Sequence, residues 1–162
     1  MLDVGSGLCV FLHRMQAEGW DCTAVDPDER AARHAESVVG VTAVCGDFML
    51  LQDLGRFDVV VFNKVLEHVE NPVEMLSRAL VHVNPESVVY VELPDGESAA
   101  CEGLHREEFF IEHLHVFSKA SVVRLGERAG FTVIGVERLR EPSSKYTLRA
   151  FLVPSVSDTI KR

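Results

Sequence analysis

The sequence predicts an α/β domain built on a doubly wound, mostly parallel sheet of seven strands that ends in an antiparallel pair. Three observations carry the prediction. Short apolar, β-branched runs alternate with segments of helical periodicity along the chain, and that alternation implies right-handed crossovers with helices on both sheet faces. The last two runs are separated only by "EPSS", a link too short for a parallel crossover but sufficient for antiparallel neighbours. Finally, no repeat or low-complexity segment interrupts the 162 residues, which read as a single domain over 1–162.

The elements follow in order. "MLDVG" (1–5) is a short apolar strand, and "LCVFLHRMQAEG" (8–19) is a helix with apolar positions at Leu8, Phe11, Leu12 and Met15 and a stop at Gly19. "DCTAVD" (21–26) is the second strand. "PDERAARHAESV" (27–38) is a helix with Pro27 and acids in its first turn, where the helix dipole favours them. "VTAVCGD" (41–47) and "FDVVVFN" (57–63) are the third and fourth strands, and "NPVEMLSRALVHV" (71–83) is a helix opening on a cap-plus-proline pair. "ESVVYVEL" (86–93) is the fifth strand, "SKASVVRLGERAG" (118–130) a helix, and "FTVIGVERLR" (131–140) and "KYTLRAFLVP" (145–154) the closing strands. The stretch 94–117 is the least regular, and a compact domain keeps such a stretch for function or for covering a site.

Composition excludes several classes. With 47% hydrophobic and 25% charged residues and a mean hydropathy of +0.10, the chain has the balance of a water-soluble globular protein. No apolar run approaches the ~20 residues of a membrane helix, and the N-terminus lacks the basic region of a signal peptide. A formal charge of −9 argues against a nucleic-acid partner. Cys9, Cys22, Cys45 and Cys101 show no C-x-x-C spacing and read as reduced thiols of a cytoplasmic protein.

In a doubly wound sheet, ligands sit beyond the C-terminal strand ends, at the point where strand order reverses. Gly5-Ser6-Gly7 follows the first strand, where small residues let the backbone turn tightly against a ligand or simply make a strand-to-helix turn. Asp26 closes the second strand at a spacing suited to accepting both hydroxyls of a ribose, with helix capping as the alternative role. Asp47 and Phe48 can receive an adenine amine and wall its ring, or serve as a turn acid and a core aromatic. "FNKVLEHVENP" carries Asn63, Lys64, Glu67 and His68 to the same rim. There His68 can act as a general base, or cap and pack.

The ordered set "LDVGSG", "VDPD", "CGDF" and "FDVVVFNKVLEHVENP" resembles the class I S-adenosylmethionine-dependent methyltransferases, in particular their small-molecule group. The later "VHVNPESVVYVELPD" and "EHLHVFSKASVVRLGERAGF" look like the second half of that family. The resemblance implies a Rossmann-like seven-stranded sheet with the last strand antiparallel, S-adenosyl-L-methionine as cofactor and a small-molecule acceptor, with neither nucleic acid nor membrane as partner. It assigns Asp3, Gly5, Ser6 and Gly7 to the methionine end of the cofactor and Asp26 to the ribose. Pro27, Asp28, Asp47 and Phe48 fall on the adenine side, and Asn63, Lys64 and Val65 line the methionine end. His113 and His115 belong to a histidine-containing segment before Phe-Ser that lines the acceptor side, so His68, His113 and His115 are the candidate bases. Two apart in an extended segment, His113 and His115 are expected to face the same side. With His105, Glu107, Glu108 and Glu112 nearby a metal is conceivable, but no ligand spacing is distinctive and no metal is assigned.

Two departures stand out. The methyltransferase loop is usually G-x-G-x-G and the dinucleotide loop G-x-G-x-x-G, whereas this chain has Cys9 and Val10 at the two third-glycine positions. The loss weighs more heavily against a pyrophosphate-binding oxidoreductase, which also lacks here a Tyr-x-x-x-Lys pair and a second domain. The first strand also begins almost at Met1, so the helices that usually precede it in the family are expected to be missing, as in a domain shortened at its N-terminus. A non-catalytic relative that binds the cofactor or a partner protein on the same fold remains an alternative.

Overall fold

The computed structural model describes residues 1–155. Its strands are β1 (Leu2–Val4), β2 (Thr23–Asp26), β3 (Thr42–Cys45), β4 (Phe57–Asn63), β5 (Val83–Pro94), β6 (Phe131–Arg140) and β7 (Tyr146–Pro154). The helices are α1 (Val10–Ala17), α2 (Glu29–His34), α3 (Pro72–Arg78), α4 (Gly96–Ala99) and α5 (Lys119–Arg128).

The seven strands form one sheet in the order β3-β2-β1-β4-β5-β7-β6, doubly wound and mostly parallel as the alternation predicts. β1 pairs in parallel with both β2 and β4, while β7 runs antiparallel to β5 and β6. The chain therefore reverses its direction of travel across the sheet between β1 and β4, which opens a crevice beyond their C-terminal ends. Register fixes what meets there. Val4 pairs with Val25 on one side and Phe62 on the other, so Gly5, Asp26 and Asn63 leave the sheet at one level.

Alternation along the strands divides the core. Leu2, Val4, Val25, Val60, Phe62, Val89, Val91 and Leu93 pack against Leu76, Ala79, Val122 and Leu125 from the α3 and α5 side. Met1, Ala24 and Val61 face the other way, onto Leu12 of α1 and Ala35.

The helices start where the caps direct. Asp28 accepts from Arg30 N–H, Asn71 from Glu74 N–H ahead of Pro72, and Ser118 forms a reciprocal box with Ser121. Their ends differ from the periodicity reading. The helix expected over 27–38 closes through a π-helical turn at Ala35–Val39 ending on Gly40, and that expected over 71–83 tightens into a 3₁₀ turn at Ala79–His82. β5 then begins at Val83, before the expected 86, because Ser87 Oγ bonds the Phe57 carbonyl and draws the strand start onto β4. The first helix starts at Val10, not Leu8, since Leu8 stands exposed in the turn before it.

All four cysteines are unpaired. Among the described residues no helix is long and apolar enough to cross a membrane.

Candidate active site

Two cavities open at the C-terminal ends of the strands. The first, about 300 Å³, is bounded by Gly5, Val25, Asp26, Gly46, Asp47, Phe48, Val65, Val69 and Met75, among others. The second, about 200 Å³, lies between the β4 end and the 94–117 stretch, and includes Glu67, Glu108, Phe110, His113 and Tyr146. Lys64 and His68 line both, so the cavities meet at those two side chains.

The loop after β1 owes its shape to backbone conformations that few residues adopt. Gly5 has φ +71 and an added Cβ would lie 2.7 Å from Val65 Cγ2, so nothing larger fits. Cys9, at the third-glycine position, has φ 56. A left-handed conformation costs a non-glycine residue about 1–2 kcal/mol, and here the side chain is fully buried beneath the loop.

Asp26 organises the crevice. Its Oδ2 accepts from Gly7 N–H and its Oδ1 from Asp28 N–H, each at 2.9 Å, and its carbonyl accepts from Gly46 N–H at 3.0 Å. One residue thus ties together the turns after β1, β2 and β3.

The expected cofactor residues divide by position. Gly5, Asp26, Pro27, Asp47, Phe48, Lys64 and Val65 line the larger cavity, while Asp3, Ser6, Gly7, Asp28 and Asn63 stand behind or beside it. Asp28 caps α2 and pairs with Arg30. Phe48 is nearly fully buried, edge-on to Phe62 at 5.8 Å, so it is a core aromatic and a cavity wall at once. Asp47 bonds Met49 N–H and shapes the turn it begins. Asp3 lies buried on the α1 side of the sheet with Oδ1 unpartnered. Burial, reinforced by the nearby Asp26 carboxylate, pushes its pKa up to about 7.

The histidines separate where the spacing predicts a shared face. His113 stacks edge-on against His68, ring centres 5.0 Å apart, and its Nδ1 meets the Glu108 carbonyl. His115 instead directs Nε2 to the carbonyls of Val69 and Glu70 and lines neither cavity. The reason is backbone pairing: Leu114 and His115 N–H both bond the Glu67 carbonyl, which turns the segment between the two rings.

The second cavity draws its walls from segments distant in the chain. Glu108 is buried, grips Arg106 at 2.9 and 3.0 Å and accepts from Tyr146 N–H at 2.6 Å. Lys64, in a left-handed conformation at φ 59, pairs with Glu141 at 2.7 Å, and Lys145 pairs with Glu107 at 2.7 Å. Glu67 is 1% exposed with Oε2 unpartnered, and burial raises its pKa. Only its place in "LEH" pointed to it, and an acid after a leucine carries no signal of burial.

Comparison with known proteins places the whole arrangement. The aligned segment of a ubiquinone biosynthesis O-methyltransferase from Caulobacter vibrioides is 31% identical over 98 residues, 56% of this chain and 39% of that protein. A second, from Caulobacter sp. strain K31, is 32% identical over the same shares. The match therefore spans about two fifths of the length of these curated relatives. Among solved structures, Burkholderia thailandensis 1,6-didemethyltoxoflavin-N1-methyltransferase aligns with 95% of this chain and 70% of its own at a TM-score of 0.75 and 20% identity. Magnesium protoporphyrin IX methyltransferase from Synechocystis PCC 6803 aligns with 95% and 73% at 0.73 and 16%. Both likenesses are likenesses of fold. The model of a methyltransferase domain matches residues 1–136, and with the strand order and crevice above, the chain belongs to that methyltransferase family.

Proposed function

We propose that the chain transfers a methyl group from S-adenosylmethionine to a small-molecule acceptor. The observation that carries the reading is the meeting of the two cavities at Lys64 and His68, one at the strand ends around Asp26 and one roofed by 94–117. The residues present fit the cofactor. Asp26 offers a fixed carboxylate for ribose hydroxyls, and Val25, Phe48, Val69 and Met75 offer an apolar berth for a purine ring. Gly5, at φ +71, lets the chain turn tightly at the cavity's edge. The structures of the Burkholderia and Synechocystis enzymes hold S-adenosylhomocysteine, which supports the same cofactor here.

When bound, the cofactor supplies a methyl carbon on a sulfonium, open to in-line attack. The protein's part is alignment, exclusion of water and proton acceptance. His68 stands at the junction and His113 against it, and both hold Nδ1 on a backbone carbonyl. A carbonyl only accepts, so each Nδ1 carries a proton and Nε2 is the ring nitrogen left to face an acceptor. Either ring is thereby oriented as a candidate base, whereas His115 is turned to backbone and serves the segment's shape.

The test is titration calorimetry with S-adenosylmethionine and with NAD, followed by detection of S-adenosylhomocysteine in an acceptor screen. Binding of the first alone, with turnover on an acceptor, is expected. A folded chain that binds neither, or only NAD, overturns the reading.

A further inference from the structure

The second cavity presents hydrogen-bond acceptors and almost no free donor. Its cations are committed: Lys64 to Glu141 and Lys145 to Glu107, both at 2.7 Å. Arg106, just outside, is bound to Glu108 and Glu102. What remains is Glu67 and two imidazoles whose Nδ1 atoms are already on backbone carbonyls. A carboxylate oxygen of Glu67 and one ring nitrogen each of His68 and His113 all lie within 4.8 Å of one another. Glu67 Oε2 has no partner although the residue is 1% exposed. Each Nδ1 is held on a backbone carbonyl, which leaves Nε2 as the ring nitrogen open to a ligand.

Three acceptors so gathered complement one chemical group in particular. A primary ammonium carries three N–H donors directed tetrahedrally, and acceptors each about 2.8 Å from its nitrogen stand about 4.6 Å apart. A phenol or alcohol offers a single donor, and when that donor goes to either ring the buried Glu67 oxygen stays without a partner, which is a penalty.

We propose that the acceptor is a small primary amine, held as its ammonium by Glu67, His68 and His113 and methylated on nitrogen. The inference rests on the methyltransferase reading above. In the reaction the ammonium gives one proton to a histidine Nε2. The freed nitrogen lone pair forms the N–C bond as the S–C bond breaks, its electrons staying on sulfur. The two remaining protons leave on the N-methylammonium product, and the histidine returns its proton to solvent. Phe110 and Tyr146 on the same walls suit a flat hydrocarbon body behind the amine.

The experiment compares benzylamine with benzyl alcohol, which has nearly the same shape. Imidazole NMR signals of His68 and His113 are followed at pH 7.5 in the protein saturated with S-adenosylhomocysteine, whose own binding is measured separately by calorimetry. Benzylammonium is expected to shift both rings at millimolar concentration or below and to bind at least about tenfold more tightly than the alcohol. Glu67→Gln, checked for folding by circular dichroism, is expected to weaken the amine about tenfold or more and to leave the alcohol unchanged. Equal binding of amine and alcohol, no amine binding, or full amine affinity in Glu67→Gln each overturns the proposal. So does tight uptake of zinc that the amine does not displace, since the three ligands then form a metal site. Failure of the cofactor to bind is a separate result and bears on the methyltransferase reading.

Discussion

Gly7 N–H donates to Oδ2 of Asp26 at 2.9 Å, joining two residues 19 apart in sequence across the β1–β2 edge. The other oxygen of Asp26 is held by Asp28 N–H at the same distance, so the carboxylate has one orientation and keeps lone pairs free toward the cavity. Asp26→Ala removes both anchors together with the carboxylate proposed to take the ribose hydroxyls. The expected result is a loss of cofactor affinity of at least about a hundredfold, consistent with two charge-assisted hydrogen bonds at ~1.5 kcal/mol or more each. Calorimetry with S-adenosylmethionine checks it, and an unchanged Kd in a folded variant refutes the role.

Gly5→Ala tests the loop through conformation. The residue has φ +71 and the new methyl would lie 2.7 Å from Val65 Cγ2, so strain and collision add. We expect about 2–3 kcal/mol of destabilisation in urea unfolding and weaker cofactor binding. Gly7→Ala meets no atom within 4 Å and suffers only the strain of φ +51, so it is expected to cost about 1 kcal/mol. Equal losses at both positions would contradict the geometry.

Asp3 predicts an unusual dependence on pH. Its folded pKa of about 7 lies above the ordinary 3.8, through burial first and the Asp26 charge second. Between those values the folded chain keeps a proton that the unfolded chain releases. The contribution of Asp3 is therefore fully present below pH ~4 and is lost as pH rises to about 7. Asp3→Asn has no such proton to lose. Its stability relative to the parent is expected to rise across that window, by about 1.4 kcal/mol per pH unit at most, and then to level. Thermal melts of both proteins from pH 4 to 8 read the difference, and a constant offset would refute it.

Much of this fold is legible in the residues. The parallel crossovers and the final antiparallel pair follow from run lengths and from the four residues "EPSS", and Gly5, Asp26 and Asp47 are placed at strand ends by the same reading. The third-glycine puzzle is resolved only in three dimensions. Position 9 does require a left-handed backbone, and the buried Cys9 thiol shows that burial accompanies a strain that sequence spacing does not register. Helix ends were misplaced where a π-helical turn or a 3₁₀ turn replaces α geometry, since both keep nearly the same apolar period. The second cavity was least legible, because Glu108, Tyr146 and Lys145 come from segments distant in the chain and are joined by ion pairs that carry no local pattern.

Glu108 is the lock of that cavity. Burial alone would raise its pKa, but the Arg106 guanidinium and Tyr146 N–H overcome that and hold it below the ordinary carboxylate value. Its stabilising contribution is thus present above the unfolded pKa and is lost as pH falls through the folded one. Glu108→Gln removes the buried one of the two carboxylates that pair with Arg106, the other being Glu102. A loss of about 2–4 kcal/mol is expected in urea unfolding at pH 7, shrinking as pH falls through the acid limb, with cofactor affinity within about twofold of the parent. A large change in cofactor Kd would mean that the two cavities are not separable.

The three histidines give the sharpest contrast between chemistry and architecture. His68 and His113 share the second cavity, proposed to take the acceptor, with Nδ1 committed to carbonyls, while His115 is spent on Val69 and Glu70. A positioned base contributes about 10²–10⁴ to a rate. Replacing the one that takes the proton by Ala should lower the single-turnover rate by that order and change the shape of the pH–rate profile, while leaving S-adenosylhomocysteine affinity unchanged. Replacing its neighbour should cost less, because the first ring keeps its own carbonyl anchor. His115→Ala should lower the melting temperature by a few degrees, the equivalent of about 1 kcal/mol, and keep the profile intact. Quenched-flow measurements with the fastest acceptor found in the screen distinguish these outcomes. A profile altered by His115→Ala and untouched by both other substitutions would transfer the base to the segment's far side and require the cavity to open differently when the acceptor binds.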